Sequence, residues 1–319
     1  MTNPPTLVLV HGSWHQASCF NPITSLLQEE HGLKCISVSL PSTSNNPQAT
    51  FKDDVDVTQE AIAGETTAGR DVVVIAHSYG GMVGNSAIKG FAKPRGSVET
   101  GSTATGHVIG LVLIASGCNL PGLSFMDPFF GHPPPSWRVN KETGYAELVT
   151  SPRELFYHDL PQDEAEYWVS QLTTQSLKAL FEGGEYSYPG WQEVKVWYIG
   201  TIEDHGLPVV AQRLGVGMAR AMGGVIEHRE MQTSHSPFLS QPKETVAIIL
   251  EAVEDFTGRP VADAAPASRP QIKGVTVPAV RLWQPITWYR FGLPLAFGRL
   301  MGGGFLFFGW CKRLFGRSR

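Results

Sequence analysis

Short apolar runs alternate with segments of helical period along most of the chain. Runs at 6–12 (TLVLVHG), 34–41 (KCISVSLP), 71–78 (DVVVIAHS), 107–117 (HVIGLVLIASG), 194–201 (VKVWYIGT) and 225–232 (VIEHREMQ) predict six strands. Between them, 22–30 reads as a helix with Ile23, Leu26 and Leu27 on one face. A second helix is expected over 53–63, stopped by Gly64, a third over 82–91, and an amphipathic closing helix over 243–256. VVVIA and LVLIA are apolar at every position, so both of their faces need cover. That is the habit of parallel strands between two layers of helices. The strand–helix alternation predicts an α/β fold with a doubly wound, mostly parallel sheet of about six strands.

Two stretches break the rhythm. Residues 119–191 are too long for one crossover and mix loop-like GHPPPS and GGEYSYPGW with helix-like SPRELFYHDL and PQDEAEYWVSQL. They are expected to form an inserted helical cap over the C-terminal edge of the sheet. From about Gly258 a linker (ADAAPASRP) leads into a glycine-rich, aromatic tail. The expected organisation is a core of 1–118 and 192–257, a cap of 119–191, and a linker plus tail over 258–319.

Charge sharpens this division. The 319-residue chain has a net charge of −4, which gives no reason to expect nucleic acid as a partner. Yet 261–319 holds nine of the 25 Lys/Arg and one of the 29 Asp/Glu, a net of +8, leaving −12 for the rest. An acidic body with a basic, aromatic tail implies a separate task for the tail. Its apolar stretch includes Pro294, Arg299 and several glycines, so an interfacial segment fits better than a membrane span. Peripheral membrane contact through 280–319, packing on the body and dimerisation stay open. The cysteines Cys19, Cys35, Cys118 and Cys311 form no CxxC pair, which argues against structural zinc and a disulfide framework. With an N-terminus that reads as a first strand, they point to a cytoplasmic setting.

The third apolar run ends in A-H-S-Y-G-G, residues 76–81. A serine at a strand-to-helix turn, with small residues two before and two after it, is the G-x-S-x-G arrangement that exposes a nucleophile on a strained backbone. Ala76 replaces the first glycine; Gly80 and Gly81 are kept. A serine hydroxyl needs a base, and the base an orienting acid. The fifth strand runs into GTIEDHGLP, placing Asp204 past its end, and the sixth into MQTSHSPFL, placing His235 in the next loop. Both fall at the sheet edge expected for Ser78. Glu203 competes with Asp204 for the acid, and Asp127 is a weaker alternative. An oxyanion hole requires two amide N–H groups. The candidates are Tyr79, after the serine, and Ser13 in VHGSW, with Trp14 next in line. Trp14 and His15 are candidate substrate contacts. His77 is expected to pack beside the sheet without a chemical part.

LVLVHGSW, AHSYGG, IEDHGLP and SHSPFLSQP together resemble the α/β-hydrolase superfamily. The resemblance leans towards plant-type methylesterases and hydroxynitrile lyases and towards hydrolases of fungal secondary metabolism. It implies Ser78 as nucleophile, His235 as base, Asp204 as acid, and Ser13 and Tyr79 amides as the oxyanion hole, with no metal and no cofactor. The expected activity is hydrolysis of an ester, thioester or lactone of a small apolar molecule. A lyase or cyclase using the same three residues, and a non-catalytic ligand receptor on the same fold, are the alternatives. The cap and tail depart from the family pattern, so the substrate does not carry over.

Overall fold

The computed structural model describes residues 4–93, 105–260 and 274–315. The linker expected at 262–270 lies outside them. From the N-terminus, β1 (Thr6–Val10), α1 (Asn21–Glu29), β2 (Cys35–Val38), α2 (Phe51–Thr67), β3 (Val72–His77), α3 (Gly80–Ala87) and β4 (Val108–Ile114) build the first half. The intervening segment holds β5 (Trp137–Asn140), β6 (Tyr145–Leu148), α4 (Pro152–Phe156), α5 (Gln162–Ser170) and α6 (Leu177–Phe181). The second half follows with β7 (Lys195–Thr201), α7 (Val209–Ala221), β8 (Ile226–Met231), α8 (Pro237–Ser240) and α9 (Pro242–Thr257). Last come β9 (Val275–Thr276), α10 (Pro285–Thr287), a π-helical turn at Trp288–Gly292 and α11 (Leu293–Phe315).

The main sheet runs in the order β2-β1-β3-β4-β7-β8-β9. Six strands are parallel, as the doubly apolar runs require. β3 and most of β4 are fully buried. A seventh strand was not legible: β9 has two residues and pairs antiparallel with β8. So short a segment has no periodicity to read.

The strand order reverses at β1, whose neighbours are β2 and β3. The connections leaving β1 and β3 therefore diverge and open a crevice at their C-terminal ends. Pairing aligns those ends on one edge: Val10 lies opposite Ala76, His77 opposite Ile114, and Thr201 opposite Met231.

Two expectations need correction. The helix thought to stop at Gly64 continues through it to Thr67. Glycine costs about 1 kcal/mol inside a helix. Here the next turn buries Glu65, which ties Lys34, Arg70 and Thr6 together, and that outweighs the cost. A Thr50–Asp53 capping box secures the other end. The segment expected to be a helical cap also contains a hairpin, β5–β6. Its alternation over only four residues per strand was too short to separate from loop.

The intervening segment is fastened to both edge loops. Trp14 Nε1 donates to the Ala146 carbonyl at 2.9 Å, and Thr173 N to the Trp14 carbonyl at 2.7 Å. On the other side, Ser234 Oγ donates to the Phe156 carbonyl at 2.8 Å, and Ser234 N to Asp159 Oδ2 at 2.9 Å.

Candidate active site

Ser78 occupies the turn between β3 and α3 at φ 52°, a left-handed conformation rare outside glycine. Such backbone costs on the order of 1–3 kcal/mol unless its surroundings enforce it. Here Ser78 N donates to the Ile114 carbonyl at 3.1 Å. The Ser78 carbonyl accepts from Ser116 Oγ at 2.6 Å and from Gly81 N at 2.9 Å. The flanking small residues are steric necessities. A Cβ on Gly80 would overlap the His11 carbonyl oxygen, and one on Gly81 would overlap Ser116 Oγ. Ala76 is tolerated where the pattern has glycine because glycine faces it from α3. A methyl on Gly84 would lie 3.0 Å from the Ala76 methyl.

The loop after β1 passes directly over this turn, since a Cβ on Gly12 would lie 2.8 Å from Ser78 Cβ. Among the described residues, the amide N–H groups of Ser13 and Tyr79 have no hydrogen-bond acceptor. Ser13 is buried, and so is Tyr79. Two unpaired amides beside one serine suit an oxygen that gains negative charge.

His235 and Asp204 meet at the same edge. His235 Nδ1 lies 2.8 Å from Asp204 Oδ2, with both residues buried. The carboxylate is saturated with donors. Oδ2 also accepts from Thr201 Oγ1 at 2.7 Å and Gln212 Nε2 at 3.1 Å. Oδ1 accepts from Gly206 N at 2.8 Å and Leu207 N at 2.7 Å. Burial works to raise the Asp204 pKa. The attraction and hydrogen bond of His235, with bonds from Leu207 and Thr201, overcome it and hold the carboxyl below its ordinary range. An ionised acceptor assigns the proton of His235 to Nδ1, which leaves Nε2 as a base. The Ser78 hydroxyl and His235 are not hydrogen-bonded to each other in this structure.

His77, expected to pack without a chemical part, donates from Nε2 to the His235 carbonyl at 3.0 Å. The rings of His77 and His235 are 4.6 Å apart between centroids. The residue before Ser78 thus anchors the loop that carries the imidazole. Burial holds His77 well below the usual histidine range, so it stays neutral. No sequence pattern marks Gln212, Thr201 or His77 as a site residue. A glutamine on an amphipathic helix reads as a solvated position, and no spacing rule links it to an aspartate eight residues earlier.

Other candidates fall differently. The Glu203 side chain accepts from Gln232 Nε2, and its carbonyl pairs with His158. Asp127 Oδ2 accepts from Ser124 N at 2.7 Å within the intervening segment. Neither carboxylate is bonded to His235. Trp14 sits at φ 60° with its ring against Trp137 and Phe156. His15 is buried with both ring nitrogens engaged, by the Ser13 carbonyl at 2.7 Å and the Tyr157 hydroxyl at 2.9 Å. Burial pushes its pKa down to about 3. The cavity beside it holds about 10 Å³, room for a single water. Tyr79 directs its hydroxyl away to Asp54 Oδ2 at 2.7 Å, a buried bond behind the turn.

A seven-stranded, mostly parallel sheet with a serine on a left-handed turn and a buried His–Asp pair along one edge defines a class of enzyme. The model of the alpha/beta hydrolase family matches residues 7–248, and the chain belongs to that family. It is an enzyme of the alpha/beta hydrolase type. Among curated proteins it is similar to the alpha/beta hydrolase nvfD of Aspergillus novofumigatus (strain IBT 16806). The two are 26% identical over 254 residues, covering 78% of this chain and 96% of that one. Norfluorocurarine synthase 2 of Strychnos nux-vomica is 24% identical over 294 residues, covering 79% and 97%. Among solved structures, the methylesterase MES16 from Arabidopsis superposes with a TM-score of 0.60 at 20% identity, covering 79% of this chain and 99% of that one.

Proposed function

We propose that the chain is a serine hydrolase that cleaves an ester, thioester or lactone of a small apolar molecule. The observation that supports this most is the buried His235–Asp204 hydrogen bond, which leaves Nε2 of His235 free to act as a base beside a serine at positive φ. In this reading Ser78 Oγ attacks the substrate carbonyl while His235 Nε2 takes its proton. Asp204 stabilises the imidazolium and keeps it oriented. The tetrahedral oxyanion lies against the amides of Ser13 and Tyr79. Collapse expels the alcohol or thiol, protonated by His235, and leaves an acyl group on Ser78. A water deprotonated by His235 then releases the acid. The Ser78–His235 hydrogen bond closes with the carbonyl in place, as such contacts often tighten only in the reacting complex.

An apolar substrate is favoured by the rings around the pair. Phe156 lies 5.6 Å from His235 and 6.1 Å from Trp14, between centroids. The test compares the parent chain with Ser78→Ala on panels of esters, thioesters and lactones, alongside labelling by a fluorophosphonate. The expected result is a label on Ser78 and loss of turnover in the variant. Undiminished turnover in Ser78→Ala, or a label elsewhere, overturns the assignment. The relative named as a synthase supports a second reading, in which His235 shuttles protons in a lyase or cyclase reaction. Labelling of Ser78 without turnover of any ester would favour it.

A further inference from the structure

The C-terminal element lies beyond residue 248, where the family match ends. One face of α11 is fully used. A Cβ on Gly217 of α7 would overlap the Leu295 carbonyl oxygen, and one on Gly298 the Leu214 carbonyl oxygen. A Cβ on Gly302 would come within 2.6 Å of the Met218 carbonyl oxygen. Helix backbones therefore touch, and the glycines are what permits it. Arg213 fixes the approach. Its guanidinium donates to the Arg290 carbonyl at 2.8 Å and lies 4.8 Å from the Phe291 ring centroid. Its other nitrogens form a buried ion pair with Glu230.

The opposite face is apolar and bare. Ile286, Tyr289, Leu293, Phe297 and Leu300 follow the helical spacing of three and four across α10, the π turn and α11. They are 61%, 73%, 59%, 62% and 72% exposed, and Trp283, just before them, is 92% exposed. A helix apolar on its outer face needs a cover other than water. Charge indicates which cover. Arg281, Arg290 and Arg299 flank the stripe and are exposed, and 264–319 contains no Asp or Glu. A second copy meeting this face across a two-fold axis would bring arginine to arginine with no acid to pair. An anionic lipid surface supplies the missing negative charge along with an apolar layer. No helix among the described residues is long and apolar enough to cross a membrane.

We propose that this stripe is an interfacial docking surface for membranes containing acidic phospholipids. The helix lies flat, its apolar side chains enter the acyl boundary and its arginines meet headgroup phosphates. The docking surface stands whichever reaction the site performs.

The experiment is flotation of the full chain with vesicles of phosphatidylcholine alone and of phosphatidylcholine with phosphatidylserine. The variants are Phe297→Gln/Leu300→Gln and Arg281→Gln/Arg299→Gln, with melting temperature and size-exclusion elution recorded for each. The chain is expected to float with the phosphatidylserine vesicles and far less with the neutral ones. Each arginine removed should lower partitioning roughly fivefold. The apolar pair should lower it at least about tenfold, without a change in melting temperature. Absence from both floated fractions overturns the proposal, and so does equal flotation with both. A lipid-free dimer that Phe297→Gln/Leu300→Gln converts to monomer, without flotation of the parent, assigns the stripe to a second copy instead.

Discussion

Replacing Asp204 by asparagine keeps the shape of the side chain, removes its charge and exchanges one acceptor oxygen for a donor NH2. Five donors converge on this carboxylate: His235, Thr201 and Gln212 on Oδ2, and the amides of Gly206 and Leu207 on Oδ1. The backbone amides cannot turn away, so the asparagine oxygen must face them. Its NH2 then meets His235 Nδ1. Thr201 can rotate its hydroxyl to accept. Gln212 is less free, because its Oε1 already accepts from Thr201 N at 3.1 Å. His235 must turn Nδ1 into an acceptor, which moves its proton to Nε2, the nitrogen that takes the Ser78 proton in the proposed mechanism. In serine–histidine–carboxylate sites that tautomer costs about 10⁴ in kcat, a barrier increase of roughly 5 kcal/mol. The mismatched donors should cost about 1–3 kcal/mol of stability as well. The assay is kcat on an activated p-nitrophenyl ester, with thermal midpoint and fluorophosphonate labelling measured on the same sample. KM should change little, because the Asp204 carboxylate is buried and engaged only by protein donors. Folded Asp204→Asn retaining kcat within tenfold of the parent refutes the reasoning. A larger loss from Glu203→Gln does so too.

Arg213→Leu leaves Glu230 buried without its ion-pair partner, so a loss of about 3–5 kcal/mol is expected in chemical denaturation; Arg213→Met/Glu230→Gln should recover much of it. Gly80→Ala drives a methyl into the carbonyl oxygens of His11 and Val10 and should cost at least about 3 kcal/mol, read as a fall in melting temperature or in soluble yield. Stability should also fall on acidification. Burial lowers His11 to about 4, His15 to about 3 and His228 to about 3. The unfolded chain therefore takes up protons that the folded chain refuses, and this contribution is complete above about 6.5 and lost as pH falls towards 3. For His11 alone the full loss is on the order of 3 kcal/mol. Asp54 acts in the opposite sense. Burial lifts it to about 6, so it favours the folded state at low pH and gives that up as pH rises from 3.8. Its shift is smaller than the three histidines together, and melting temperatures measured from pH 7 down to pH 4 should decline throughout.

The parallel sheet was legible in the sequence because doubly buried strands leave unbroken apolar runs, and such runs have few other uses. The turn at Ser78 was legible for a steric reason. Gly80 and Gly81 stand where any Cβ would strike a carbonyl or a neighbouring side chain, so the composition of the turn records its geometry. Asp204 and His235 could be placed at one edge because both follow strands, and parallel strands end on the same side. The convergence itself was a tertiary matter. Nothing local to His77 announces that it holds the His235 loop, since that contact joins segments that only the sheet order brings together. Thr201 and Gln212 are near Asp204 in the chain, but their contacts depend on how the loop after β7 turns back onto α7, which no spacing rule records. His15 looked available beside the loop and is in fact enclosed by Tyr157 and Phe156, contributed from a segment more than a hundred residues away. The sequence by itself determined the tail's apolar and basic character. Only packing decided which of its faces is used, because the glycines that let α11 touch α7 also determine which side chains turn outward.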